Sequence, residues 1–67
     1  MNEYLKAKLK ARLADEKGDV EVYKTLAKEA EEQGCHRLSA YLMAIAHDEK
    51  THAEFLEEYL HEYDKKD

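Results

Sequence analysis

Glu31-Glu32-Gln33-Gly34-Cys35 separates two stretches of the chain that share one apolar rhythm, and the glycine within it decides the fold. Upstream, Leu5, Leu9, Leu13, Val20, Tyr23, Ala27 and Ala30 keep to the spacing of a single helical face. Downstream, Leu38, Tyr41, Leu42, Ile45, Leu56, Tyr59, Leu60 and Tyr63 do the same. A glycine just past a helix can take the left-handed conformation that closes it. The pattern predicts a helix over about 3–33, a turn at about 34–35 and a helix over about 36–64, making residues 1–67 a single all-α antiparallel hairpin.

A competing break lies at Lys17-Gly18-Asp19, where Gly could end one helix and Asp cap the next, giving three helices. Phase favours continuity, because Leu9, Leu13, Val20 and Tyr23 keep their face across Gly18, which itself points away from it. An exposed glycine inside a helix is still a local weakness of about 1 kcal/mol relative to Ala, and the sequence offers no reason for it.

Composition agrees with helices that have one wet face. Of 67 residues 40% are charged, and there is no Pro and only two Gly to make hairpin turns, which excludes most all-β folds. No stretch approaches the roughly 18 apolar residues of a membrane span, and Met1-Asn2-Glu3-Tyr4 lacks the apolar core of a signal peptide, so a cytoplasmic chain is expected. The single cysteine, Cys35, can form no internal disulfide, and there is no C-x-x-C pair for zinc or an iron–sulfur centre. The net charge of −5 hides a basic start, Lys6, Lys8, Lys10 and Arg12 against Glu3, which reads as a solvated helix face; nucleic acid is not an expected partner. Two helices have only one groove between them, too little core for a chain of this length, so self-association into a four-helix bundle is expected.

The stripes contain residues that do not belong in a core. Between Leu13 and Val20 the helical step falls on Glu16; between Ile45 and Leu56 it falls on Glu49 and His52. His36, His47 and His61 lie on the opposite side of the second helix. Buried carboxylates without partners cost several kcal/mol each, and no Lys or Arg falls on either stripe, so a cation must come from elsewhere or the carboxyls must stay protonated. Glu49-Lys50-Thr51-His52 is the Glu-x-x-His spacing that directs a carboxylate and an imidazole to one metal ion. Two hairpins together would supply four Glu and two His, the ligand inventory of carboxylate-bridged di-iron or di-manganese bundles.

These residues resemble a known family. Glu16, Tyr23, the run Leu26-Ala27-Lys28-Glu29-Ala30-Glu31-Glu32-Gln33-Gly34, Ala40 and Asp48-Glu49-Lys50-Thr51-His52-Ala53 are similar, without a gap, to the first helix pair of rubrerythrin in the ferritin-like superfamily, over about residues 13–60. The resemblance implies that Glu16 is a terminal or bridging metal ligand, Glu49 a bridging carboxylate and His52 a terminal ligand, with Tyr23 near the site. A rubrerythrin carries a second helix pair with its own donors, so this chain looks like a stand-alone half, similar in plan to two-helix encapsulated ferritin-like proteins whose site forms between subunits. The implied assembly is a homodimer, or a higher assembly of dimers, with a ferritin-like four-helix bundle. It would hold two Fe ions, or Mn, and act as a ferroxidase- or peroxidase-type oxidoreductase on dioxygen or peroxide. Three parts are missing from the pattern: a C-x-x-C rubredoxin domain to deliver electrons, a recognisable cargo-loading tail in His61-Glu62-Tyr63-Asp64-Lys65-Lys66-Asp67, and any sign of a storage cage.

Other readings of the same residues stay open. Glu16, Glu49 and His52 can form a polar layer that fixes bundle register, which would make the chain a non-catalytic helical dimerisation module, with or without a structural metal. Tyr23 is either a redox-active residue or a core aromatic whose hydroxyl finds a carboxylate. Asp48 can hold the second N–H of His52 or be solvated, Cys35 is incidental or makes an intersubunit disulfide, and Tyr41, Tyr59 and Tyr63 read as interface-facing core.

Overall fold

In the computed structural model residues 2–66 are described, with side chains as far as residue 62. Two helices, α1 (Glu3–Glu32) and α2 (His36–Lys66), pack side by side and account for nearly all of it. Asn2 starts α1 by accepting the Leu5 backbone N–H at 2.8 Å through its side-chain oxygen, which satisfies one of the otherwise unpaired amides of the first turn. At the other end Gly34 has φ +81°, the Gly34 N–H donates to the Glu31 carbonyl (3.0 Å), and the Cys35 N–H donates to that of Ala30 (2.8 Å). These are the paired bonds of a Schellman cap, with glycine at the left-handed position. The Cys35 carbonyl then accepts from Ser39 N–H at 2.9 Å and opens α2. α1 runs unbroken through Gly18.

The helices meet along a seam in which steps of three and four alternate. α1 contributes Leu9, Leu13, Glu16, Val20, Tyr23, Ala27 and Ala30, and α2 contributes Ser39, Leu42, Ala46, Glu49, Ala53, Leu56 and Leu60, all partly or fully buried. That spacing is the knobs-into-holes repeat of a two-stranded helix pair. Ala27, Ala30, Ala46 and Ala53 provide most of the fully buried positions, and small side chains let the helices approach closely. The Ser39 hydroxyl donates to the Ala27 carbonyl at 2.8 Å across the contact, tying the helices beside the turn. Nearer the open end, Lys17 Nζ and Glu57 Oε2 lie 3.2 Å apart across the seam, an exposed pair of small energetic weight.

The seam departs from the predicted stripe at Leu5, which is exposed near the start of α1, and along α2. On α2 the apolar residues divide between two surfaces: Leu42, Leu56 and Leu60 enter the seam, while Leu38, Tyr41, Ile45 and Tyr59, with Phe55, remain exposed beside it. An apolar sector wide enough for a globular core is wider than the contact between two helices, so part of it is left without a partner inside one chain. Tyr63 lies outside the residues whose side chains are described. The molecule measures 50 × 16 × 11 Å, one helix thick, and both broad faces are open. Among the described residues no helix is long and apolar enough to cross a membrane.

The two glycines should respond oppositely to Ala. Nothing lies within 4 Å of a Cβ placed on Gly18, so Gly18→Ala should stabilise by up to about 1 kcal/mol through helix propensity. Gly34→Ala forces a side chain into a positive-φ site and should destabilise by about 1 kcal/mol or more. Urea unfolding of the two variants beside wild type checks both signs.

Candidate metal centre

The two seam carboxylates face each other about midway along the hairpin. Glu16 comes from α1, Glu49 from α2, and His52 follows Glu49 by one turn on the same helix. One donor atom from each lies within 4.8 Å of the other two. Their exposures differ: the Glu16 side chain is 13% exposed, whereas His52 is 55% exposed and stands on the outer apolar stripe rather than in the seam. The group therefore opens onto the uncovered face of the hairpin.

Glu16 is the most enclosed member, and its two oxygens have different neighbours. Oε1 accepts from Arg12 Nη2 at 3.4 Å. Oε2 is buried, lies 3.8 Å from His52 Nδ1, and has no hydrogen-bond partner. A buried acceptor without a donor is unfavourable by about 1–3 kcal/mol, more when charged. The neighbouring carboxyl offers one remedy. Glu49 is held above its ordinary value of 4.5, first by a hydrogen bond with Glu16, then by burial and by the negative charges of Glu16 and Asp19, with His52 pulling the other way. Beside the Glu16 carboxylate, Glu49 therefore keeps its proton to higher pH than a free carboxyl does. A cation bound between them would be the other remedy.

Arg12 and Asp19 were not singled out by the sequence pattern. The expectation that no basic residue neutralises the stripe is corrected here, because the long Arg12 side chain reaches Glu16 from one turn away although its Cα is off the seam. The i,i+4 spacing of Arg12 and Glu16 carried that signal. Tyr23 is a half-buried seam residue seven positions from Glu16, about 10 Å along the axis. Asp48 is exposed, as are His47 and His61, and none of these three joins the group. His36 is at the turn, where its Nδ1 lies 2.8 Å from Glu31 Oε1.

The donor set fits a hard first-row divalent ion: carboxylate oxygens with one imidazole suit Fe or Mn, and the orphaned Glu16 oxygen is where a cation would be favoured. A family model for rubrerythrin matches residues 8–67. The chain belongs to the rubrerythrin family. No curated protein and no solved structure gives a significant match. For this rubrerythrin-family chain, Glu16, Glu49 and His52 are thus at once the residues that its sequence marks and a compact donor group in its fold.

The Glu49 shift fixes the sign of a pH effect on the metal-free protein. Because the folded value is raised above the unfolded one, the folded state binds more protons between the two, so the contribution is fully present below about 4.5 and is lost as pH rises through the folded value. Urea unfolding of wild type in chelator should show stability falling over that window, and Glu49→Gln should remove this part of the slope. Identical pH profiles would contradict the raised Glu49 value.

Proposed function

We propose that this chain supplies one half of a di-metal carboxylate centre, completed by a second copy, that oxidises Fe(II) with dioxygen or peroxide. The observation that carries the reading is the buried Glu16 Oε2, unpaired beside His52 and within one donor group with Glu49. Two copies would bring four carboxylates and two imidazoles to one bundle, the usual complement for two ions. Two Fe(II) ions held there, or Mn(II) in the same donors, would each yield one electron for a two-electron reduction of the oxidant. The protein's own part is to hold Glu16 from the closed seam, to bring Glu49 to it from the facing helix, and to set His52 one turn further on beside both. An exposed free thiol at Cys35 suits a reducing compartment, and a cytoplasmic setting belongs to the proposal.

The homodimer is supported by the distribution of exposed apolar residues. On α2 they run from Leu38 to Tyr59, and on α1 from Leu5 to Leu26, with Glu49 and Glu16 close to the centres of these spans. A two-fold axis perpendicular to the helices at that level would set Leu38 of one copy near Tyr59 of the other and cover His52, making the patch self-complementary. In this antiparallel pairing the two Cys35 residues lie about 40 Å apart, whereas hairpins pointing the same way would bring them close together. Spin labels on Cys35 should therefore report a long distance, and a short one would overturn the pairing.

Anaerobic Fe(II) titration should end at one metal per chain, with exposure to air then converting Fe(II) to Fe(III). Glu49→Ala and His52→Ala should abolish tight binding, while His47→Ala and His61→Ala should keep it. Equal loss from the last two would count against the site. A second reading, a polar layer in a non-catalytic dimer, draws on the observation that Arg12 already offsets part of the charge of Glu16. One iron or fewer per four chains would favour it.

A further inference from the structure

Arg12 stands one turn before Glu16, and its guanidinium is divided between two carboxylates. Nη1 lies 3.5 Å from Asp15 Oδ2 and Nη2 lies 3.4 Å from Glu16 Oε1. Arg12 is 60% exposed and Glu16 only 13%, so a positive charge reaches from solvent to the rim of an otherwise enclosed group. The oxygen it meets is not the one turned toward His52; that one, Oε2, is left without a donor. The guanidinium is permanently charged and has no lone pair, so it can neutralise the group but cannot ligate an ion within it.

We infer that Arg12 is a built-in counter-ion of the centre, stabilising the hairpin pair when no metal is bound and opposing the divalent ion when one enters. This rests on the proposed metal reading for its second half only. Without metal, Arg12 offsets the charge of Glu16, and removing it leaves a nearly buried carboxylate with less compensation. With a divalent ion among Glu16, Glu49 and His52, the same guanidinium becomes a like charge a few ångströms away and competes for Glu16. One residue thus acts with opposite signs in the two states. A purely structural tether that only set the Glu16 rotamer would act with one sign, its loss weakening both. Arg12 is a charge-compensating residue that acts through Glu16.

A charge series at position 12 tests this, with Mn(II) as the probe because it is stable in air. Arg12→Lys should bind Mn(II) within about twofold of wild type. Arg12→Gln should bind about two- to fivefold more tightly, and Arg12→Glu more tightly again, with the differences shrinking in 1 M salt as expected for a partly exposed charge. In chelator the order should reverse, thermal unfolding falling from Lys to Gln to Glu. Weaker or unchanged Mn(II) binding by Arg12→Gln would overturn the inference, and so would equal metal-free stability across the series. Failure of wild type to take up Mn(II) or Fe(II) would instead sink the metal reading, leaving the chelator measurements to decide the counter-ion role independently.

Discussion

Two carboxyl groups meet across a seam otherwise lined by alanine and leucine, and most of what is distinctive in the hairpin follows from that contact. An alanine-rich seam brings the helix axes close, so Glu16 and Glu49 cannot turn away from each other without leaving the contact. Their repulsion has to be answered locally. Within one chain the answers are the raised proton affinity of Glu49 and the guanidinium of Arg12 on the outer oxygen of Glu16. Both are partial, since Glu16 Oε2 still has no donor when both carboxyls are charged. A core layer that only needed polarity would be better served by amides, which donate as well as accept; a pair of acceptors with an imidazole beside them is suited to a cation.

The seam also bears on the proposed self-association. Alanines bury little apolar surface, and among the described residues no large side chain is fully enclosed. The larger apolar residues, Leu38, Tyr41, Ile45, Phe55 and Tyr59, are spent on the outer stripe instead. Alanine at most of the fully buried positions, with five large apolar residues exposed beside the seam, is the reverse of what a solitary hairpin would need, and it is the arrangement expected of a module whose main core lies between copies.

Much of this was legible in the sequence. The helical period and Gly34 implied two helices and their connection, because spacing and the left-handed cap are local properties. The anomaly of Glu16, Glu49 and His52 was legible for the same reason: a charged residue at a core phase is visible without knowing the fold. What was not legible was the division of the second helix into two surfaces. Periodicity gives the angle of each residue but not the width of its contact, so Leu38, Tyr41, Ile45 and Tyr59 were grouped with Leu42, Leu56 and Leu60. Arg12 was missed because phase is read at Cα, whereas a long side chain acts a full turn away. The field of Asp19 on Glu49 crosses between helices, which a one-dimensional pattern does not carry.

The place of His52 joins the site to the assembly. Had all three donors lain in the seam, a single hairpin could have enclosed an ion and remained indifferent to partners. Instead Glu16 and Glu49 belong to the contact within the chain, and His52 belongs to the stripe beside it. On the proposed reading, an ion bound to all three is half inside one hairpin and half inside the interface, so its affinity contains part of the association free energy. Linkage then runs both ways: whatever covers the stripe strengthens the hold on the ion, and the ion favours the covered state by the same factor. On that reading the exposed apolar stripe and the incompletely satisfied carboxylate are one feature, since a second copy that buries the first also brings the further donors needed by an ion bound at the second.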